Sequence, residues 1–306
     1  MIPLRPLLAE LDGGGIEGSR ASARDMGVQQ PKERFLKSSG LRLHYLVWGH
    51  DKNPPLLLLH GFLAHAHFWD DFARQFQPRY QVIALDQRGH GESQWSKEGA
   101  YTIYDHFRDL AGFIEALKLN HLILVGHSMG GRNALFYAAC IPTYVERLIL
   151  VDARAGKNPQ AAQMLRHILL TFSKQARSIQ EWVDAIQSIY PRLSPTQCRY
   201  IIRQGFQRNG GGKFIPGYDP SISQQLERFN YQTDDLGIFL KNIRCPTLII
   251  RGSRSPFLSR VEAEKMTRAI PQAELREIPK STHLPSHENP GFFYKVISDF
   301  LNQKVF

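Results

Sequence analysis

Five short runs of nearly unbroken apolar residues recur along the chain: Leu56-Leu57-Leu58-Leu59, Val82-Ile83-Ala84-Leu85, Leu122-Ile123-Leu124-Val125, Leu148-Ile149-Leu150-Val151 and Thr247-Leu248-Ile249-Ile250. A strand with one wet face alternates apolar and polar residues. An unbroken run is therefore a strand buried on both faces, and helix-length spacers between such runs predict a parallel sheet sandwiched by helices. Ala273 to Ile278 extends the series. In such sheets ligands and chemistry gather where the strands end at their carboxyl side. The residues found there are His60-Gly61-Phe62, Asp86-Gln87-Arg88-Gly89-His90-Gly91-Glu92-Ser93, Gly126-His127-Ser128-Met129-Gly130-Gly131, Asp152, Arg251-Gly252 and Pro279-Lys280-Ser281-Thr282-His283.

The block around Ser128 is the most informative of these. A serine on a tight strand-to-helix bend needs glycines two before and two after it, because neighbouring chain passes where side chains would collide. The spacing of Gly126, Ser128 and Gly130 meets that need. The hydroxyl is then exposed, and the helix opening near Met129 turns free N–H groups and its positive dipole end toward a developing oxyanion. As a pattern G-x-S-x-G fixes only three letters, so an ordinary glycine-rich turn stands beside the reading of Ser128 as a nucleophile.

Taken together, these ordered blocks, with Thr282-His283-Leu284-Pro285-Ser286-His287-Glu288-Asn289-Pro290, resemble the α/β-hydrolase superfamily over about residues 33 to 304. The resemblance implies an α/β fold: a mostly parallel, doubly wound eight-stranded sheet with a helical cap inserted after the sixth strand. It also implies roles. His283, after the last strand, occupies the position of the family's catalytic histidine, and the backbone N–H groups of Phe62 and Met129 correspond to the oxyanion hole. Epoxide hydrolases and haloalkane dehalogenases of this fold attack with a carboxylate at the elbow, whereas this chain has Ser128, so acyl transfer is favoured. A serine hydroxyl is a poor nucleophile at neutral pH and needs an imidazole to take its proton. The chain has twelve histidines; most read as solvated or packing residues, His287 among them.

The acid departs from the family pattern. Most members carry an Asp in the loop after the seventh strand, but here that loop reads Gly252-Ser253-Arg254-Ser255-Pro256-Phe257-Leu258-Ser259, with no carboxylate before Glu262. Some branches supply the acid from the end of the sixth strand, where this chain has Asp152. That makes Asp152 the expected triad acid, with Glu262, or a serine–histidine pair without a strong acid, as alternatives. An Asp at a strand end also caps turns, so a structural role stands beside the catalytic one. By the same resemblance Asp86 serves the turn beneath the site, and Arg88 holds that loop by ion pairing.

Between Asp152 and the strand after Pro246 lie roughly ninety residues, far more than a crossover needs. Met164-Leu165-Ile168-Leu169-Phe172 and Trp182-Ala185-Ile186-Ile189-Tyr190 repeat at three and four, and Tyr200-Ile201 begins another such pattern. At least three amphipathic helices are predicted, with Pro216 to Pro220 as a loop among them. Laid over the strand ends they would roof the serine and form an apolar pocket; the plainer reading is that the stripes glue the insertion to the body. Phe62, Trp69, Met129 and Phe257 are candidates to face substrate. The expected organisation is an arm over 1–32, a hydrolase core over 33–154 and 241–306, and a cap over 155–240.

Composition bounds the partners. The chain has 306 residues, 42% hydrophobic, and no apolar stretch near the 18 that suggests a membrane span. Its formal charge of +10 comes from scattered Lys and Arg rather than a basic run interleaved with aromatics, so no nucleic-acid partner is expected. Cys140, Cys198 and Cys245 show neither C-x-x-C nor metal-ligand spacing and read as reduced core or cap residues. There is no H-E-x-x-H, and Asn209-Gly210-Gly211-Gly212-Lys213 lacks the rest of a phosphate loop. No metal or cofactor is implied. Residues 1 to about 32 are too proline-broken for a signal segment and read as an expression leader or a natural arm; cytoplasmic placement is a default. The sequence leads to a serine carboxylic ester hydrolase, monomeric or homodimeric, acting on small to medium apolar esters. A lactonase or C–C hydrolase of the same fold, and a non-catalytic ligand-binding receptor, are the alternatives.

Overall fold

The computed structural model describes residues 30–172, 176, 178–208, 210–228 and 234–303; residues 1–29 of the expected arm lie outside the described residues. Elements follow in the order β1 (Lys32–Ser38), β2 (Leu41–Trp48), β3 (Pro55–Leu59), α1 (Asp70–Phe76), β4 (Gln81–Leu85), α2 (Ile103–Ala116), β5 (Leu122–His127), α3 (Met129–Cys140), β6 (Val145–Val151). Then come α4 (Pro159–Phe172), α5 (Ile179–Ile189), α6 (Pro195–Gly205), β7 (Phe206–Arg208), β8 (Phe214–Pro216) and α7 (Pro220–Arg228). The chain closes with β9 (Thr247–Gly252), α8 (Arg260–Ala269), β10 (Ala273–Ile278), α9 (Pro285–Glu288) and α10 (Pro290–Leu301).

The apolar runs form the centre of an eight-stranded sheet of order β1-β2-β4-β3-β5-β6-β9-β10. Pairings from β4 through β10 are parallel, and β1 and β2 are antiparallel to their neighbours. Successive side chains of a strand point to opposite faces, and the runs divide accordingly. Leu57, Leu59, Leu124 and Leu150 join the core under α2, α3 and α8, whereas Leu56, Leu58, Val125 and Val151 join the one under α1 and α10. Both faces being covered is why no alternation shows in the sequence.

Topology places the crevice. The chain passes from β3 outward to β4, then returns across β3 to reach β5, so β3 and β5 are neighbours whose connections leave in opposite directions. Their carboxyl ends flank the switch point where α/β sheets bind ligands.

The helical region inserted between β6 and β9 holds α4 to α7 and a small hairpin, β7 with β8, that periodicity had not indicated. Three-residue strands are too short to show a period. The expected loop at Pro216 to Pro220 spans the end of β8 and the start of α7, and Tyr200 and Ile201 lie in the middle of α6 rather than at its start. Both stems of the insertion are pinned to α3: Arg132 donates to the carbonyls of Arg154 (2.9 Å), Ala155 (3.2 Å) and Asp234. Leu236 N–H also bonds the Ala155 carbonyl at 2.9 Å. Farther out, Gly91 N–H donates to Gly217 O and Asp219 N–H to Gly89 O, which ties the insertion to the loop after β4. Cys198 and Cys245 are buried, but Cys140, at the end of α3, is exposed, contrary to expectation.

Candidate active site

At the end of β5 the chain turns through Ser128, whose φ of 51° and ψ of −113° put a non-glycine residue in a region that costs about 1–3 kcal/mol. The surroundings enforce that bend. A Cβ on Gly126 would collide with the Gly130 carbonyl, and one on Gly130 with the Leu59 carbonyl. Ser128 N–H donates to Val151 O at 3.0 Å, so the elbow is also tied to β6.

Asp152 directly follows β6, itself at positive φ (46°) and 1% exposed. Its main-chain N–H extends the ladder to Ile250 O at 2.7 Å. Its carboxylate accepts from Gly252 N–H (3.1 Å), the Ser255 hydroxyl (2.5 Å) and His283 Nδ1 (2.6 Å). A carboxylate oxygen only accepts, so His283 Nδ1 carries a proton, and in a neutral ring Nε2 is then the acceptor facing Ser128 Oγ, 3.0 Å away. The loop after β9 thus holds the Asp152 carboxylate: Ser255 Oγ also accepts from the N–H groups of Phe257 and Leu258, both at 3.1 Å. Ser255 was not singled out in the sequence, although Ser255-Pro256 is a turn signal. Glu262 lies at the first turn of α8, capped by Ser259, and its charge interacts with Arg154 and Arg132 at the stems of the insertion. On the other side of His283, Thr282 Oγ1 donates to Glu288 at 2.8 Å, bracing the loop that carries His283.

The turn after β3 completes the floor. Gly61 sits so close that a Cβ there would lie 3.3 Å from Ser128 Cβ, which sets the Gly61-Phe62 turn against the serine. Met129 opens α3, where the first N–H groups have no intrahelical partner. Beneath, Asp86 accepts from Ala66 N–H (2.5 Å), Glu92 N–H (3.0 Å) and His44 (2.7 Å). Burial works against its charge, yet the His44 bond and nearby histidines hold its pKa below the carboxylate range. Arg88 binds Asp109 of α2 through two nitrogens (2.6 and 2.8 Å).

Above the serine lies a cavity of about 110 Å3, several times the roughly 10–15 Å3 that one water needs. Its walls come from both halves: Phe62, Phe68, Phe257 and Leu284 from the body, Leu165, Ile168, Phe172, Ile186 and Tyr190 from the insertion. Phe62 and Phe257, two of the candidates from the sequence, are among these wall residues, and the Phe257 and His283 ring centroids lie 4.1 Å apart. Trp69 is not. It is fully buried in the core beneath the sheet, packed between Phe68 and Phe72, and its neighbour Phe68 faces the cavity instead. The short helical turn at Ala66–Trp69 points adjacent residues in different directions, which a linear reading does not resolve. The Met129 side chain is likewise absent from the described cavity wall. His287 lines the cavity and packs tilted against Phe68, ring centroids 4.4 Å apart; burial pushes its pKa down to about 4. Among the described residues no cluster of His, Cys, Asp or Glu has an arrangement that could hold a metal, and no helix is long and apolar enough to cross a membrane.

This chain belongs to the α/β-hydrolase superfamily. Residues 54–189 match the family described as alpha/beta hydrolase fold. Human epoxide hydrolase 4 is 36% identical over 285 residues, covering 88% of this chain and 78% of that one. Mouse sn-1-specific diacylglycerol lipase ABHD11 is 26% identical over 295 residues, covering 92% and 90%. The crystal structure of E-2-(acetamidomethylene)succinate hydrolase superposes with a TM-score of 0.82 at 26% identity, covering 90% of this chain and all of that one. The protein is a hydrolase of this fold.

Proposed function

We propose that the protein is a serine carboxylic ester hydrolase that works through an acyl-enzyme on small to medium apolar esters. The observation that carries this reading is the hydrogen-bonded line Ser128 Oγ to His283 Nε2 (3.0 Å) and His283 Nδ1 to Asp152 (2.6 Å). His283 takes the Ser128 proton as Oγ attacks the ester carbonyl, Asp152 stabilises the imidazolium, and the proton passes to the departing alcohol oxygen. A water that gives its proton to His283 then attacks the acyl-enzyme, and the acid leaves as Ser128 regains the proton. The N–H groups of Phe62 and Met129 hold the oxyanion, each donor worth about two to three orders of magnitude in turnover. The diacylglycerol lipase relative cleaves esters by name, which supports this chemistry, while the epoxide hydrolase relative bears on the fold, because attack here comes from a serine rather than a carboxylate.

The test is a panel of p-nitrophenyl esters of increasing chain length, with a lactone and a vinylogous diketone, on wild type and Ser128→Ala. The expected result is ester turnover and fluorophosphonate labelling in wild type, both lost in Ser128→Ala with an unchanged thermal midpoint. Ester turnover retained in that variant would remove the elbow from the mechanism. Preference for the lactone or the diketone would replace the ester reading, and labelling without turnover would favour a ligand-binding receptor.

A further inference from the structure

His127 immediately precedes Ser128 and is 3% exposed. Its Nε2 lies 2.8 Å from the main-chain oxygen of His283. A carbonyl oxygen only accepts, so Nε2 carries the proton and, in a neutral ring, Nδ1 is bare. That Nδ1 is buried without a hydrogen-bond partner. A Cβ on Gly61 would stand 2.5 Å from it, so the bare edge is pressed against the Gly61-Phe62 turn. Phe68 stacks on the same ring at 5.1 Å and 16°, and the His283 ring lies 4.7 Å away. Burial, then the charge that His283 can carry, hold the His127 pKa well below its ordinary value; His287 and His60 push the same way, and only the bond to the His283 carbonyl opposes them. The ring therefore stays neutral, with one tautomer, when His283 gains a proton.

We propose that His127 is a positioning residue for acyl transfer: one edge of its ring pins the main chain of His283 through Nε2–H, and the other sets the Gly61-Phe62 turn. Resting on the serine-hydrolase reading, this makes a single side chain the spacer between base, nucleophile and oxyanion donors. Asp152 orients the His283 ring, but only if the backbone that carries the ring is itself held, and proton transfer tolerates only about 2.6–3.2 Å between heavy atoms.

Two variants of the full chain separate tie from packing. His127→Gln keeps an N–H donor near the ε position, and His127→Phe keeps the ring but removes the donor. His127→Phe is expected to lose about 100-fold in kcat on p-nitrophenyl butyrate with KM within about threefold, and His127→Gln to stay within about tenfold of wild type. Wild-type kcat in His127→Phe, or equal loss in both variants, overturns the proposal. Nitrogen NMR of histidine-labelled wild type reads the tie without any variant: Nε2 protonated and Nδ1 bare from about pH 6 to 8. A proton on Nδ1, or a ring that titrates in that range, overturns it as well. A wild-type chain that neither labels nor turns over sinks the acyl-transfer reading and the proposal with it, whereas an adverse NMR result sinks the proposal alone.

Discussion

Below the cavity, Ser128 and Asp152 are placed by backbone: both stand at positive φ directly after parallel strands, and main-chain ladder bonds run into both positions. Above it, Leu165, Ile168, Phe172 and Ile186 are placed by helix faces that meet one another, with Phe172 stacked on Trp182 at 5.4 Å. The difference teaches how such a molecule divides its labour. Backbone-placed groups tolerate little substitution, whereas the walls form a packed apolar surface whose shape can change residue by residue and, on the proposed reading, sets which acyl groups fit.

The sharpest way to break that division is at the acid. Asp152→Asn should lower kcat by about 10²–10⁴, as loss of the imidazole's anionic partner does in such triads, while Glu262→Gln should leave it near wild type. The reverse ranking in steady-state kinetics would move the acid to α8. Ser255→Ala removes one of three donors to Asp152 and should cost about tenfold in kcat, in keeping with one lost hydrogen bond to a charge; no change would mean that the loop merely fills space.

Acid separates body from insertion in another way. Burial holds His60 down to about 3 and His65, His90 and His287 down to about 4, and all four belong to the body. Unfolded, these rings would titrate near 6.5, so between that value and about 4 the unfolded chain binds protons that the folded chain refuses, and stability falls as pH drops. The thermal midpoint should decline progressively from pH 7 toward 4.5. A midpoint flat across that window would mean that these rings are charged in the folded state.

The smallest expected effect on kcat is in the roof. Leu165→Ala widens the half-buried wall and should shift preference toward longer acyl chains by a factor of a few to tens in kcat/KM, leaving kcat on a short ester unchanged. An equal loss on every chain length would show that the insertion positions the chemistry as well as the substrate.

Much of the body was legible before folding because its signals are local. Two-faced burial writes unbroken apolar runs into the strands, and a strained bend leaves glycines at fixed offsets around Ser128. Asp152 stood out in the sequence only through a vacancy elsewhere, and Trp69 lies in the core because one residue's rotation in a short turn decides core or cavity. The β7–β8 hairpin left no period to read.

From sequence alone came the parallel sheet, the elbow serine and the histidine loop, since each depends on residues adjacent in the chain. Only the tertiary structure decided that Ser255 and Gly252 N–H hold Asp152, that Phe68 rather than Trp69 meets the cavity, and that His127 reaches the carbonyl of His283. Those contacts join residues from 100 to more than 150 positions apart or turn on the direction of a single side chain. Distance and direction between residues far apart in the chain are properties of long-range packing, and those particular contacts leave no mark on local spacing.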